Sequence, residues 1–436
     1  MIKRILRNFF QRIFITFKLS GENSLANHAA AGAYGFLLSL APMLLLVSSF
    51  LLYAFKTIPQ AVLTLLENIP FLDIIVDENW LANDFSVVSL PGISGIISII
   101  SIFWAGRLLA VSMQRGLKIV FTGDKKRNPV TDKLLTLLIE LLVLIFSFVV
   151  IFLSQTALYF LETFEYITKN SILYSFTSQA GNTVISGIVL GLVSYCAYRF
   201  IPANSPNRLS ALRGSIFCVI FWVIISTVLG VMLRQSKYNF LYGTLGDLII
   251  LLVNVYFYFF FFFLGAQYSY VLNYFDALLF MQMRQARLNA KSVKKSKADF
   301  IMNIVDRLYI PIEGRLMKYY RLHKAGETVF FQGDRGDEIF YLLEGEVEVY
   351  ISSSRNTLTL TGTLKEAAFF GEMSHLLNEA RSATIKAKTD VSVLALPPSL
   401  FDEILKHDKN IDRNIIEQLS ERIKNGNDMI ASLSAG

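Results

Sequence analysis

Gly326-Glu327-Thr328-Val329-Phe330-Phe331, Gly333-Asp334-Arg335-Gly336-Asp337-Glu338-Ile339-Phe340-Tyr341-Leu342-Leu343 and Glu344-Gly345-Glu346-Val347-Glu348-Val349-Tyr350 follow one another almost without a gap. Each holds a short run of β-branched, aromatic or aliphatic residues, and each run is bounded by glycine with acidic neighbours. That is the pattern of short strands joined by tight turns, so a β-rich domain is expected from about Arg321 onward.

Downstream lies Phe370-Gly371-Glu372-Met373-Ser374-His375-Leu376-Leu377-Asn378-Glu379-Ala380-Arg381-Ser382-Ala383-Thr384. A cyclic phosphate carries one negative charge and two exocyclic oxygens, and a planar guanidinium with several donors suits it, helped by the backbone amides of a short helical turn. The two stretches together resemble the cyclic nucleotide-binding domain of bacterial regulators, kinase regulatory subunits and gated channels, over about 110 residues. The resemblance implies an α+β domain with a β-roll, the double-stranded jelly roll, and cAMP or cGMP as regulatory ligand. It implies Arg381 for the phosphate, Glu372 for the ribose 2′-hydroxyl and a hydroxyl contact from Ser382, with Phe370, Gly371 and Ala383 completing the contact set. The sequence departs from the family at Ala367, where a glycine is usual, which predicts a tightened or distorted turn into the cassette. Ser382 leaves adenine and guanine equally open. Domains of this fold also exist without a ligand, so a role in assembly alone is the alternative.

After a last strand near Val391 to Leu396, Pro397-Pro398-Ser399 opens a short helix, and a longer one is expected from Ile411 to about Leu433. Ile411, Ile415, Ile416, Leu419, Ile423 and Met429 give that helix an apolar stripe, suited to capping a bound base, to pairing with a second copy as a homo-oligomer, or to packing on its own β-roll. No helix-turn-helix pattern follows, and no nucleic acid is expected as a partner.

Upstream the composition changes. The chain of 436 residues is 53% hydrophobic with 17% charged residues, against roughly 25% charged in ordinary soluble proteins, and its mean hydropathy is +0.48. The apolar excess falls between residues 29 and 272, in six segments close to the length of about 20 residues that crosses a bilayer. They run from Ala29 to Ala54, Pro91 to Val111, Leu134 to Phe160, Val184 to Phe200, Ser215 to Met232 and Leu245 to Leu272. The expected architecture is therefore an α-helical membrane bundle of about six transmembrane helices, with the lipid bilayer as partner.

The net charge of +7 arises mostly in short segments flanking these runs. Lys3, Arg4, Arg7, Arg12 and Lys18 precede the first span, whereas Thr57 to Leu90 has no Lys or Arg and carries Glu67, Asp73, Asp77, Glu78 and Asp84. Basic residues return between the second and third spans, between the fourth and fifth, and after the sixth. The third loop sets Glu162 and Glu165 against a single Lys169, and the fifth connection, with Arg234 and Lys237, is a mild violation. The alternation predicts a multi-pass protein of the bacterial inner membrane with both termini cytosolic.

Between Ile2 and Phe17, apolar residues at 2, 6, 9, 13 and 17 oppose Lys3, Arg4, Arg7, Asn8, Gln11 and Lys18. This is the pattern of an interfacial helix on an anionic leaflet, or of an ordinary packed amphipathic helix, and not of a cleavable signal peptide. The expected order is thus a cytosolic amphipathic segment at 1–27, a six-helix membrane domain at 28–275, a basic helical linker at 276–312 and a nucleotide-binding domain at 313–436.

Within the spans, Arg107, Glu140, Asp247 and Asn254 are the polar candidates for function, since polar groups in a bilayer are costly. Arg107 also fits a snorkelling cation. Ala29-Ala30-Ala31-Gly32-Ala33-Tyr34 with Ser39 and Pro42, Trp104 with Arg107 and Arg115-Gly116-Leu117, Tyr198-Arg199-Phe200-Ile201-Pro202, and Tyr242-Gly243-Thr244-Leu245-Gly246 with Gly265-Ala266 resemble the BrkB/YihY-like family of bacterial membrane proteins. That family was once labelled ribonuclease BN. Nuclease chemistry is not expected, because His28, His323, His375 and His407 have no metal-ligand spacing. No catalytic residues, metal ligands or cofactor are expected. Cys196 and Cys218, both in apolar segments, are expected as packing residues. The function expected is an envelope membrane protein, a transporter or alternatively a membrane-anchored sensor or scaffold, regulated by a cytosolic cyclic nucleotide.

Overall fold

The computed structural model describes residues 2–38, 110–122, 172–235, 244–292, 308–311, 314–352 and 358–407, with isolated residues between 107 and 134 and between 411 and 420. The chain forms two compact units, one of residues 16–273 and the other of residues 1–15 with 274–436.

The first unit is helical. Helix α1 (Ile2–Glu22) leads into it, followed by helical residues 25–38 and 110–120, then α2 (Ile172–Phe200), α3 (Arg208–Gln235) and α4 (Thr244–Asn273). These last three cover the expected fourth, fifth and sixth spans. The first expected span is helical to residue 38, and the remainder of it, most of the second and nearly all of the third lie outside the described residues. Among the described residues, Arg208–Leu229 and Leu251–Asn273 are long and apolar enough to cross a membrane, and Ser186–Phe200 is a shorter apolar helix.

Small residues set how closely these helices approach. A Cβ at Gly265 would sit 2.8 Å from Cys218 Cβ, Gly214 O and Tyr198 Oη, and one at Gly214 would sit 2.6 Å from Gly265 O, so α3 and α4 cross backbone against backbone. Tyr198, fully buried, donates its hydroxyl to Phe262 O at 2.6 Å. The next residue, Arg199, bonds Ser205 Oγ and Pro206 O and so closes the turn into α3. Gly32 and Gly116 lie under the rings of Phe259 and Phe263, which a Cβ at either position would strike. The glycine and alanine string at residues 29–33 is a packing surface, with Ala29 and Ala33 buried. Cys218 is likewise buried, its sulfur 3.8 Å from Ser194 Oγ.

The second unit carries the strands. Among the described residues, β1 (Tyr320–His323), β8 (Val391–Leu396), β3 (Ile339–Glu344) and β6 (Phe369–Phe370) form one antiparallel sheet in that order. The other runs β2 (Thr328–Phe330), β7 (Thr384–Ala387), β4 (Val347–Ser352) and β5 (Leu358–Leu364). Between them lies a core of Phe340, Leu342, Val347, Phe370, Ile385, Ala387, Val391, Val393 and Ala395. On β3 and β8 the alternate residues are buried too. The two-residue period sends Ile339, Tyr341 and Leu343 to the opposite face of the sheet from Phe340 and Leu342.

Helix α5 (Phe275–Ser292) covers that opposite face. Phe280, fully buried, packs edge-on against Tyr341 at 5.0 Å and tilted against Phe369 at 6.1 Å. Asp276, in the first turn of α5, bonds Arg315, Lys318 at 2.8 Å and the Tyr319 hydroxyl at 3.1 Å, which ties the helix to the 3₁₀ turn Leu316–Tyr319 before β1. Residues 2–15 of α1 belong to this unit as well. Gln11 Nε2 donates to Leu308 O at 2.8 Å, the Tyr309 hydroxyl donates to Gln11 O at 3.3 Å, and Arg12 lies 4.7 Å above the Phe275 ring. The unit closes with α6 (Glu372–Leu377) and α7 (Pro398–His407). Beyond isolated residues 411, 413 and 420, the expected helix from Ile411 lies outside the described residues.

Candidate functional site

Strand β6 ends at Phe370, and Gly371 turns the chain with φ +78° into α6. A Cβ at 371 would lie 2.7 Å from Arg381 Nη1, so glycine is needed here both for its backbone angle and for room. At its far end α6 stops on Asn378, also left-handed at φ 56°. The helix between these two left-handed residues is six residues long.

Arg381 sits inside this arrangement, 5% exposed. Its Nη1 donates to Gly371 O at 2.6 Å and Ser374 Oγ at 2.8 Å, and its Nη2 donates to Glu338 O at 2.8 Å. The guanidinium lies 4.4 Å above the Phe330 ring, a favourable placement for a cation. Its backbone is fixed from both sides, with Arg381 N donating to Asp334 O and Gly333 N donating to Arg381 O. Gly336 leaves room beside Nη2, which a Cβ would meet at 3.0 Å. Burial pulls the guanidinium below its ordinary value, and the carboxylates of Glu338, Asp337, Glu372 and Asp334 oppose that shift.

Glu372 opens α6 and is 2% exposed. A carboxylate and a guanidinium are therefore buried in one cassette, between β6 and β7, with further acids in the turn at 334–338. Phe370 is buried and stacks on Phe340 at 5.2 Å. Ser382 is exposed beside Arg381, and Ala383 is half-buried. Ala367 lies in the turn before β6 with φ +71°. Its N–H donates to Leu342 O at 2.8 Å, so the turn keeps the geometry that suits glycine while carrying a side chain.

Three participants escaped the sequence. Ser374, 6% exposed, accepts from Arg381 and lies 3.0 Å from Gly371 O. Phe330 supplies the ring beneath the guanidinium, and Glu338 supplies its backbone oxygen while its carboxylate is paired with Arg321. Phe330 stands in the apolar run Val329-Phe330-Phe331, which marks a strand and not a site, and no local signal marks a carbonyl. His375 Nε2 lies 2.8 Å from Asp402 Oδ1 and its ring faces the edge of Phe401, so the cassette helix is joined to α7.

The membrane candidates do not form a comparable cluster among the described residues. Arg107 is a helical, exposed residue, Asn254 is half-buried on α4, and Asp247 lies in the first turns of α4. Glu140 lies outside the described residues. Other polar groups of the helical unit are more deeply buried: Gln267, Ser194 and Ser269 have no exposed surface, and Gln267 Oε1 accepts from Asn23 Nδ2 at 2.9 Å. Among the described residues no three His, Cys, Asp or Glu side chains are grouped to hold a metal ion.

Comparison with known proteins finds two family matches. Residues 16–288 match the family described as Virulence factor BrkB, and residues 320–408 match the cyclic nucleotide-binding domain. The cAMP-dependent protein kinase regulatory subunit of Dictyostelium discoideum is 30% identical over 102 residues, which are 23% of this chain and 31% of that protein. The chain thus spans about a third of the curated relative it matches. Among solved structures, the Thermus thermophilus catabolite activator protein is 26% identical, covering 27% of this chain and 57% of its own, with a TM-score of 0.25. The cAMP-bound PfPKA-R is 25% identical, covering 28% and 40%, with a TM-score of 0.21.

Proposed function

Because the chain belongs to the Virulence factor BrkB family of membrane proteins and carries a cyclic nucleotide-binding domain at its C-terminal end, we propose that it is a multi-pass inner-membrane protein whose state is set by a cyclic nucleotide bound on the cytosolic side. The observation that carries this is the burial of Glu372 and Arg381 in one cassette. A buried ion costs free energy unless something engages it. Arg381, with its several donors and rigid plane, would hold the phosphate, and Glu372 would accept from the ribose 2′-hydroxyl, with Ser382 at the exposed rim.

cAMP is the first ligand to test, since the similar kinase subunit is named for it. Six transmembrane helices with both termini cytosolic fit the charge alternation. The output is transport across the envelope, with no catalytic step. A ligand shifts the membrane part only through different affinities for its states. Contacts suited to that coupling run from the cassette to α5: Phe369 precedes Phe370-Gly371-Glu372 and touches Phe280, and Phe401 touches both Phe369 and His375.

A second reading, a ligand-free domain used for assembly, is favoured by the protein acceptors that already engage both terminal nitrogens of Arg381. Titration calorimetry of the full chain in lipid nanodiscs with cAMP and cGMP separates the two. Saturable binding abolished by Arg381→Ala supports regulation, and the absence of binding to either nucleotide by the folded protein leaves the assembly role.

A further inference from the structure

Helix α1 is laid against its unit by a side that mixes polar and apolar residues. Gln11 is 2% exposed and Ile15 fully buried, and Asn8, Gln11 and Arg12 share the turn of the helix that meets Leu308, Tyr309 and Phe275. Ile15 and Phe14, which packs on Tyr309, join that packed side, whereas a second apolar group points the other way: Leu6, Phe9, Phe10 and Phe17 are between 48% and 56% exposed. At 100° per residue, positions 6, 9, 10 and 17 fall within about a third of the helix circumference, so they form a single stripe. A soluble domain places such a stripe inward; here it is turned outward on a helix held from behind by hydrogen bonds.

What covers the stripe is argued from charge and from continuity. From Met1 to Gly21 the chain contains no Asp or Glu, and it carries Lys3, Arg4 and Arg7 besides Arg12, which packs on Phe275, and Lys18, which pairs with Glu22. A surface of anionic phospholipid complements that charge. The same helix runs unbroken through residue 16, where the match to the membrane family begins. Its exposed residues also resemble in kind the outward stripes of α2 and α3, where Ile188, Leu192, Ile220 and Ile224 are exposed to a similar degree.

We infer that α1 lies in the plane of an anionic lipid leaflet, with Leu6, Phe9, Phe10 and Phe17 inserted among the acyl chains, while Gln11 and Tyr309 fasten its other side to the unit that carries the β-roll. The nucleotide-binding unit thereby carries a contact of its own with the bilayer.

The test uses the full chain with Cys196→Ser and Cys218→Ala, reconstituted in vesicles of phosphatidylglycerol and phosphatidylethanolamine. Phe10→Cys and, separately, Phe17→Cys are labelled with an environment-sensitive fluorophore, and Glu22→Cys on the opposite side of the helix serves as the water-exposed reference. Insertion predicts blue-shifted emission at 10 and 17, quenching by doxyl-labelled lipid and protection from iodide, with the reverse at 22. Iodide quenching at 10 and 17 equal to that at 22 overturns the inference. Protection from both quenchers together with cross-linking between copies also overturns it, and identifies a second copy as the occupant. Two labelled positions guard against one variant that fails to fold.

Discussion

Arg381 and Gly371 are joined by a hydrogen bond of 2.6 Å from the guanidinium Nη1 to the glycine carbonyl oxygen, ten residues earlier in the chain. One side chain thus fastens the start of the cassette to its end and also presents the positive charge there.

Replacing it separates the two duties. Arg381→Lys keeps a charge but loses the planar fork that reaches Gly371, Ser374 and Glu338 together. Stability should fall by about 2 kcal/mol, the cost of leaving buried acceptors unmatched, and cAMP affinity should fall about 100-fold, since charge-assisted bonds carry that much. Chemical denaturation measures the first and calorimetry the second.

Ala367 holds φ +71°. An L-residue there costs about 1–2 kcal/mol, and glycine gives back about 0.5–1 kcal/mol through its freer unfolded chain. The first term is the larger, so Ala367→Gly should stabilise the β-roll by up to about 1 kcal/mol, read as a higher denaturation midpoint.

The crossing of α3 and α4 makes a different kind of prediction. Gly265→Ala drives a methyl into Cys218, Gly214 and Tyr198 at once, and overpacking of this kind costs about 1–3 kcal/mol. Gly187→Ala meets only Val219 at 3.4 Å. In detergent, thermal unfolding should shift downward for the first variant and stay near the parent for the second.

Burial, and then the negative charge of Asp276, raise the Glu403 carboxyl above the usual carboxylate value, with Lys406 opposing them. The folded state therefore binds this proton more tightly than the unfolded chain does, so the stability it confers is lost as pH rises through the raised folded value. Glu403→Gln should stabilise the protein at pH 7, by less than about 1 kcal/mol for a partly solvated group. Below about pH 4, where the carboxyl is protonated in both states, the variant and the parent should unfold alike.

The strands were legible because their signals are local. Thr328–Phe330, Ile339–Glu344 and Val347–Ser352 fall where apolar runs meet glycine turns. The cassette was legible through its resemblance to a known domain, carried by Gly371, Glu372 and Arg381 in their order along the chain. The partners of Arg381 were not, since two of them are backbone oxygens and any residue supplies one. The packing of α5 was hidden for another reason. Phe280 meets Tyr341 and Phe369, 61 and 89 residues later, and the basic residues that follow Met281 make the segment read as a solvated connection. A contiguous apolar run such as Ile339-Phe340-Tyr341-Leu342-Leu343 gives the compensating hint, because a strand apolar on both sides requires a cover on both. The outward turn of α1 was legible only as one of two alternatives, an interfacial helix or a packed one: periodicity shows that a helix has two faces and is silent on which one the protein keeps.

Most of helix α5, up to residue 288, lies within the stretch that matches the membrane family, yet its Phe280 is buried among residues of the β-roll. The seam between the two lineages therefore runs through a folded interior and not along a tether. Any exchange of the C-terminal module, by recombination or by engineering, must carry residues 274–292 with it, or leave an oily scar on the back of the incoming sheet.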